Sequence, residues 1–306
     1  MKTIIDLQIQ IFLLVAIGFF LTRKNWVNDT TQKQMVDIIL YVLLPCTIFR
    51  SFLSIEMTAE LIKKTAVVGI VATAMQFCYL FVNRFLYRRF ERGRALLMKY
   101  ATICTNSAFI GLPIIEAVMG AEALVYASIA LIPTRVAMWT AGLSLFTETD
   151  RKSMVRTLAL HPCILAVFLG FLFMGTGWSL PAALEQTTLG LSRCTTSLSM
   201  IMVGCILGKV ELRKVFDWSV LYYSLIRLLA LPFFFLAVLY IFQADKMTVG
   251  VTVLTAAMPA GSTTAMLAKK YDQDTEYASK LVCVSTLLSL VTIPLFSILL
   301  QGGTFH

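Results

Sequence analysis

Charged residues are scarce in this 306-residue chain. Asp, Glu, Lys and Arg make up 14% of it against 58% hydrophobic residues, and the mean hydropathy is +0.81. A water-soluble domain of this size cannot hide so much apolar surface, so lipid must be its solvent. Histidine occurs only at His161 and His306, too few for a histidine metal site. The seven cysteines (46, 78, 104, 163, 194, 205 and 283) form no Cys-x-x-Cys pair. They read as small buried apolar residues with free thiols, not as a disulfide or metal framework. Catalytic patterns are missing too. There is no His-Glu-x-x-His and no Gly-x-Ser-x-Gly, and Gly261-Ser262 has no histidine nearby. Gly204-Cys-Ile-Leu-Gly208-Lys209 has three residues between its glycines where a phosphate loop has four, and Val210 stands where Ser or Thr is needed. It reads as small-residue helix packing. An enzyme, a cofactor and a metal are therefore not expected.

What the chain does have is long apolar runs. Ten spans of roughly 20 residues are each enough to cross a ~30 Å hydrocarbon core. Their limits are 4–22, 35–53, 65–83, 96–119, 123–146, 156–175, 184–208, 218–242, 248–268 and 278–300. Loops are short and no soluble domain intervenes. The first span lacks a basic n-region beyond Lys2 and a small-x-small cleavage site, so it is expected to be a retained helix rather than a signal peptide.

The net charge of +9 is not a nucleic-acid footprint, because its positions follow the membrane. Loops after odd-numbered spans hold Arg23, Lys24, Lys33; Arg84, Arg88, Arg89, Arg92, Arg94, Lys99; Arg151, Lys152, Arg156; Lys209, Arg213, Lys214; and Lys269, Lys270, Lys280. Even-numbered loops and the termini hold only Lys2, Lys63, Lys64 and Lys246. The positive-inside rule then puts the odd loops in the cytoplasm, beside anionic headgroups, and both termini outside. Ten spans divide into residues 1–150 and 151–306, five each, with the Glu148–Arg156 loop as the seam. Five is odd, so the second half enters with opposite orientation, and the halves, if structural repeats, are inverted ones.

Two spans cannot be unbroken helices. Thr105-Asn-Ser-Ala-Phe-Ile-Gly-Leu-Pro113 carries a proline whose ring clashes with the carbonyl of Phe109, and Gly111 weakens the same turn. Asn106 and Ser107 bring polar side chains to a depth where each needs a partner. Thr255-Ala-Ala-Met-Pro259-Ala-Gly-Ser-Thr-Thr264 repeats the device: Pro259 strands the carbonyl of Thr255, and Ser262 and Thr263 follow. Asn106 lies about 15 Å into the fourth span and Pro259 about 17 Å into the ninth, so both breaks fall near the midplane. If the two helices cross there, freed N–H groups and positive half-helix ends would face an anion, and freed carbonyls a cation or a donor. The alternative for either break is a proline kink that only shapes packing.

Four basic residues remain inside spans. Arg50 is near the outer end of the second span and can snorkel. Arg135 sits roughly 18 Å into the fifth, and Arg193 and Arg227 roughly 13 Å into the seventh and eighth. A buried arginine costs at least ~2.5–3.5 kcal/mol at the helix centre, so it faces protein or a water-filled cavity. Asp37 and Glu116 are near helix ends, and no acid lies centrally in spans 3, 5, 6, 8, 9 or 10. Spare positive charge suits an anionic substrate and does not suit a cation pump with a carboxylate relay. The other use of these arginines is to bond carbonyls at helix breaks.

The pattern Asn106-Ser-Ala-Phe-Ile-Gly111-Leu-Pro113, closing at Gly120, resembles the fourth helix of the auxin efflux carrier family, which includes plant PIN-type carriers and bacterial permeases for malate and other carboxylates. Ala257-Met-Pro259-Ala, Leu267-Ala-Lys-Lys-Tyr271-Asp-Gln-Asp, Ser285-Thr286 and Pro294 resemble its ninth and tenth helices, and Leu44-Pro45 its second. The likeness covers nearly the whole chain. It implies an all-α membrane protein of ten helices in two inverted five-helix repeats, a midplane crossing of helices 4 and 9, and a scaffold–transport division with elevator movement. Asn106, Gly111, Pro113 and Pro259 would belong to the crossover, with a break at Pro45 nearby. Two departures stand out. Cys194–Ser197 occupy the region of an expected proline in the seventh helix, and Ser262, Thr263 and Thr264 the place of an asparagine after Pro259.

Together these readings predict a permease of the cell membrane (inner membrane in a bacterium) for a small organic anion, foremost a carboxylate; the short central loop points to a carboxylate or amino-acid-type substrate rather than auxin. The candidate substrate residues are Asn106, Ser107, Gly111, Pro113, Pro259, Ser262, Thr263, Arg135, Arg193 and Arg227. Partners compatible with this are membrane lipid, a coupling proton or sodium ion and a second copy of the chain, with no nucleic acid. The alternatives are a sodium-coupled carrier of the bile-acid type, which shares the crossover, and a transport-dead sensor or accessory subunit.

Overall fold

A computed structural model describes residues 2–55, 58–147, 156, 159–208 and 217–302. Most of the Glu148–Arg156 seam, together with Lys209, Arg213, Lys214 and His306, lies outside the described residues. The chain is helical throughout them: α1 (Lys2–Arg23), α2 (Asp29–Ile38), α3 (Leu44–Leu53), α4 (Ala59–Leu86), α5 (Arg92–Ile103), α6 (Leu112–Met119), α7 (Ala121–Ala137), α8 (Pro162–Thr176), α9 (Ala182–Gly208), α10 (Trp218–Leu225), α11 (Leu231–Ile241), α12 (Lys246–Ala256), α13 (Thr263–Lys270) and α14 (Thr275–Gly302). Among the described residues, six stretches are long and apolar enough to cross a membrane: Asp29–Leu53, Ala59–Leu86, Ala121–Leu145, Ala182–Gly208, Trp218–Ile241 and Thr275–Leu300. Shorter apolar helices cover Ile9–Arg23, Ser107–Met119, Pro162–Thr176 and Lys246–Ala256. Large apolar side chains such as Phe20, Ile70, Phe77, Phe168 and Val291 face outward, as lipid requires and water forbids.

Leu-Pro pairs have a recurrent local consequence. Each of Pro45, Pro113 and Pro232 stands second in an α-helix that directly follows a five-residue π-turn: Ile39–Leu43, Ser107–Gly111 and Ile226–Ala230. Proline has no N–H for the carbonyl four residues back and its ring collides with it. A wider π-turn moves that carbonyl aside and lets the segment continue without a sharp break. The interruption of the fourth span therefore sits earlier than its proline, at Cys104–Asn106, where Cys104 is extended.

The helices form two compact units, each drawn from both halves of the chain. The first comprises Met1–Ala66, Ala108–Ile129 and Ala159–Val210; the second comprises Val67–Ser107, Ala130–Leu158 and Glu211–His306. In the first, α1 and α9 touch backbone to backbone. A Cβ placed on Gly204 would lie 1.9 Å from the Val15 carbonyl oxygen, one on Gly18 1.8 Å from that of Ile201, and one on Gly208 2.8 Å from Thr22 Cβ. The Gly204–Gly208 pair is thus the packing motif expected of it. Gln32 ties α2 to this pair by donating to Thr22 Oγ1 (3.3 Å) and the Cys205 carbonyl (3.2 Å). α3 packs on α8 with Phe52 against Gly170 and Phe171, ring centroids 4.8 Å apart, and on α9 through a 2.6 Å Thr47–Thr195 hydroxyl contact. Arg50, instead of reaching out alone, meets Glu185 at 3.4 Å.

Apolar clusters hold the second unit together. Tyr87, Leu97, Met98, Val220, Tyr223, Tyr277 and Leu281 join α4, α5, α10 and α14. Met75, Tyr79, Leu231, Phe235 and Ala256 join α4, α11 and α12. Tyr100, Cys104, Met138 and Leu267 surround the end of α5. Tyr87 bonds Thr102 at 2.9 Å, and Ser219 bonds Tyr277 at 2.8 Å. No disulfide forms among the described residues; Cys104, Cys163 and Cys205 are buried as expected, whereas Cys194 is exposed.

Candidate substrate site

Within the second unit the two interruptions, at 104–107 and 257–262, meet. α5 ends at Ile103 and a π-turn begins at Ser107; α12 ends at Ala256 and α13 begins at Thr263. Between these ends the backbone is unwound, and Thr105 and Ala260 form an isolated antiparallel bridge. Asn106 N–H donates to the Pro259 carbonyl and Gly261 N–H to the Cys104 carbonyl, both at 2.9 Å. Each break thus satisfies part of the other's orphaned backbone, which a lone kink in an apolar medium has no means of doing. Ala260 N–H donates to Ser285 Oγ on α14 at 3.1 Å. The Cys104 thiol contacts the Thr263 hydroxyl at 2.8 Å, and Thr105 and Ser107 share a short hydroxyl contact.

The candidate residues fall into distinct roles. Asn106 is nearly buried, yet its side-chain amide has no hydrogen-bond partner among the described residues. Ser107 opens the π-turn and is buried; Ser262 and Thr263 open α13, the first exposed and the second half-buried. Pro259 supplies the carbonyl that holds Asn106. Its missing N–H does not leave Thr255 wholly stranded, because the Met258 N–H reaches that carbonyl at 3.4 Å. Gly111 and Pro113 lie past the break, at the end of the π-turn and in the first turn of α6.

The three central arginines part company. Arg227 is fully buried, donates from Nη1 to the Ala256 carbonyl at 2.6 Å and to the Tyr79 hydroxyl at 3.1 Å, and stacks 5.0 Å over the Tyr79 ring. Arg135 is half-buried and reaches only the Met138 sulfur at 3.9 Å among the described residues. Arg193 lies in the first unit, on an exposed face of α9. No group of three or more His, Cys, Asp or Glu among the described residues is placed to hold a metal.

Cys104, Ser285 and Tyr79 join the site without having been singled out for it. Cys104 looked like one more apolar thiol, Ser285 appeared only within a family pattern, and Tyr79 is 148 residues from Arg227 with no local pattern to connect them.

The profile of the family described as membrane transport protein matches residues 3–297. The chain belongs to this family. This agrees with the resemblance carried by the Asn106–Pro113 and Ala257–Ala260 stretches, and it makes the chain a membrane transporter. An uncharacterised transporter of Methanothermobacter thermautotrophicus is 28% identical over 299 residues, covering 95% of this chain and 97% of that one. The uncharacterised transporter YfdV of Escherichia coli K12 is 20% identical, covering 94% of each. A Rhizobium meliloti protein named "Putative malonate transporter" is 21% identical over 314 residues, covering 99% of this chain and 98% of its own.

Proposed function

We propose that the chain carries a small organic anion, a carboxylate, and binds it where the two broken segments pair. The observation that carries this reading is the Asn106 side chain: a nearly buried residue whose amide has no hydrogen-bond partner among the described residues, beside a backbone bridge flanked by the starts of two helical segments at Ser107 and Thr263. Helix starts offer unpaired N–H groups and partial positive charge to an anion, and Asn106, Ser107, Ser262 and Thr263 add neutral donors. Arg135, half-buried and tied among the described residues only to a soft sulfur, is the proposed charge partner. The relative named for malonate directs attention to short dicarboxylates.

The remaining architecture follows as part of the same proposal. Ten helices form two inverted repeats, residues 1–150 and 151–306. The helices that carry the two breaks move as an elevator against the scaffold helices. Both termini lie outside, and the chain is a transporter without catalysis.

Reconstitution tests the reading. Proteoliposomes containing the protein should accumulate or release radiolabelled malonate or another short dicarboxylate. Asn106→Ala should cut the rate at least tenfold in protein that still inserts and folds, and Arg135→Gln should weaken apparent affinity by about 2–4 kcal/mol, roughly 30- to 1,000-fold. Unchanged uptake in Asn106→Ala would make the break a packing feature. Replacing sodium in the same assay separates a sodium-coupled carrier from the others, and no uptake of any anion would favour a sensor.

A further inference from the structure

We infer that Arg227 is a positioning residue: its guanidinium fixes the C-terminal end of α12 in the crossover and does not grip the substrate. In an unbroken helix the Ala256 carbonyl would accept the N–H of Ala260. That N–H is diverted to Ser285 Oγ at 3.1 Å, and the Ala256 carbonyl takes Arg227 Nη1 at 2.6 Å instead. Arg227 thus stands in for a helix hydrogen bond removed by the break at Pro259. Tyr79 steadies it from α4 with a hydroxyl at 3.1 Å and a ring face 5.0 Å away. Both supports are built in: Arg227 lies in the π-turn Ile226–Ala230, just ahead of Leu231-Pro232, and Tyr79 is fully buried.

Two atoms decide between holding a carbonyl and holding a ligand. Arg227 Nε and Nη2 are buried and have no hydrogen-bond partner among the described residues. An arginine chosen for a carboxylate would present that outer edge, with its two parallel N–H groups, to space a ligand can enter. Here the edge is enclosed by protein and one nitrogen does the bonding. The electrostatics agree. The end of α12 carries a partial negative charge, which would repel an anion, and a fixed cation on its last carbonyl cancels it. The crossover then shows an anion its helix starts and not this helix end. Because only one nitrogen is used, the role needs a donor and a positive charge at one point, which lysine also has.

The exchange arm of the test stands on the geometry alone, while the transport arm rests on the proposed carboxylate reading. Wild type, Arg227→Lys and Arg227→Met are purified as full chains, and amide hydrogen exchange is followed in peptides covering 104–107 and 257–262. Arg227→Met should exchange at least tenfold faster there, with the α1–α9 contact unchanged, and Arg227→Lys should stay within threefold of wild type. In proteoliposomes, the KM for malonate should rise at least tenfold in Arg227→Met and stay within threefold in Arg227→Lys. Unchanged exchange in Arg227→Met overturns the inference. So does an Arg227→Lys protein as impaired as Arg227→Met, because the two-pronged edge would then be in use. If Arg227→Met does not fold, Arg227→Lys decides by the same limits. If wild type moves no carboxylate, the functional reading fails and the exchange arm still decides the role of Arg227.

Discussion

A single methyl group on Gly261 probes the pairing of the two segments. Gly261 has no left-handed φ, so alanine fits its backbone conformation and any effect must come from space. A Cβ there would sit 3.0 Å from the Cys104 carbonyl oxygen, 3.0 Å from Cys104 Sγ and 3.3 Å from Thr263 Oγ1. The carbonyl must retreat by a few tenths of an ångström, yet it is the acceptor of Gly261's own N–H at 2.9 Å. Weakening that bond costs about 0.5–1.5 kcal/mol. Overpacking adds about 1 kcal/mol at the low end of its range, so Gly261→Ala should favour the open bridge by ~2 kcal/mol. That free energy corresponds to roughly a 30-fold rise in the open population. Cys104 reports it, because its buried thiol packs on Thr263 across the bridge. In a background lacking the other six cysteines, alkylation of Cys104 should quicken by about that factor in Gly261→Ala. It should not change in Gly190→Ala, where an added Cβ meets nothing within 4 Å. Equal alkylation rates in Gly261→Ala and wild type would refute the tight backbone pairing.

Three further outcomes follow from the rest of the molecule. Gly204→Leu should lower the unfolding temperature in detergent by several degrees or prevent folding, because its Cβ alone would lie 1.9 Å from the Val15 carbonyl and both partners are backbone; a stability within 1 °C of wild type would contradict the α1–α9 contact. Asp217 caps α10 through Ser219 and meets Arg94 at 3.2 Å, and the Ser219 hydroxyl and amide with that guanidinium hold its carboxyl below the ordinary aspartate value. Its stabilisation is therefore complete above about pH 4 and lost as pH falls through the lowered value, so Asp217→Ala should cost about 1 kcal/mol near pH 7 and less in acid, read by thermal unfolding across pH. Single cysteines in the Arg88–Arg94 loop should react only from the cytoplasm and those near Gly177 only from outside; the reverse pattern would remove the inverted-repeat proposal.

Much of the architecture was written locally. Hydropathy located the long helices to within a few residues at most ends: the second span, expected from 35, begins with α2 at Asp29, while the seventh, expected at 184–208, is Ala182–Gly208. Proline and glycine marked the two interrupted spans, and Gly204 and Gly208 marked a close helix contact, because the missing N–H and the missing Cβ act wherever the residue is placed. Local chemistry also misdirected in places. It spread the first break over Thr105–Pro113 with Gly111 and Pro113 as its cause, whereas the π-turn Ser107–Gly111 absorbs that proline and the chain unwinds at Cys104–Asn106.

Only the tertiary structure decided what each polar group does. The sequence counted three central arginines as equivalent spare cations. Folding bound one to Ala256, left one against a methionine sulfur and put the third on an exposed helix face. It likewise joined Cys104 to Thr263 across 159 residues and Ala260 to Ser285 across 25. Helix propensity and membrane insertion depend on neighbours within a few turns, so they are legible in order along the chain. A buried hydrogen bond depends on which distant atom arrives at about 3 Å, and no composition or spacing encodes that until the helices have packed.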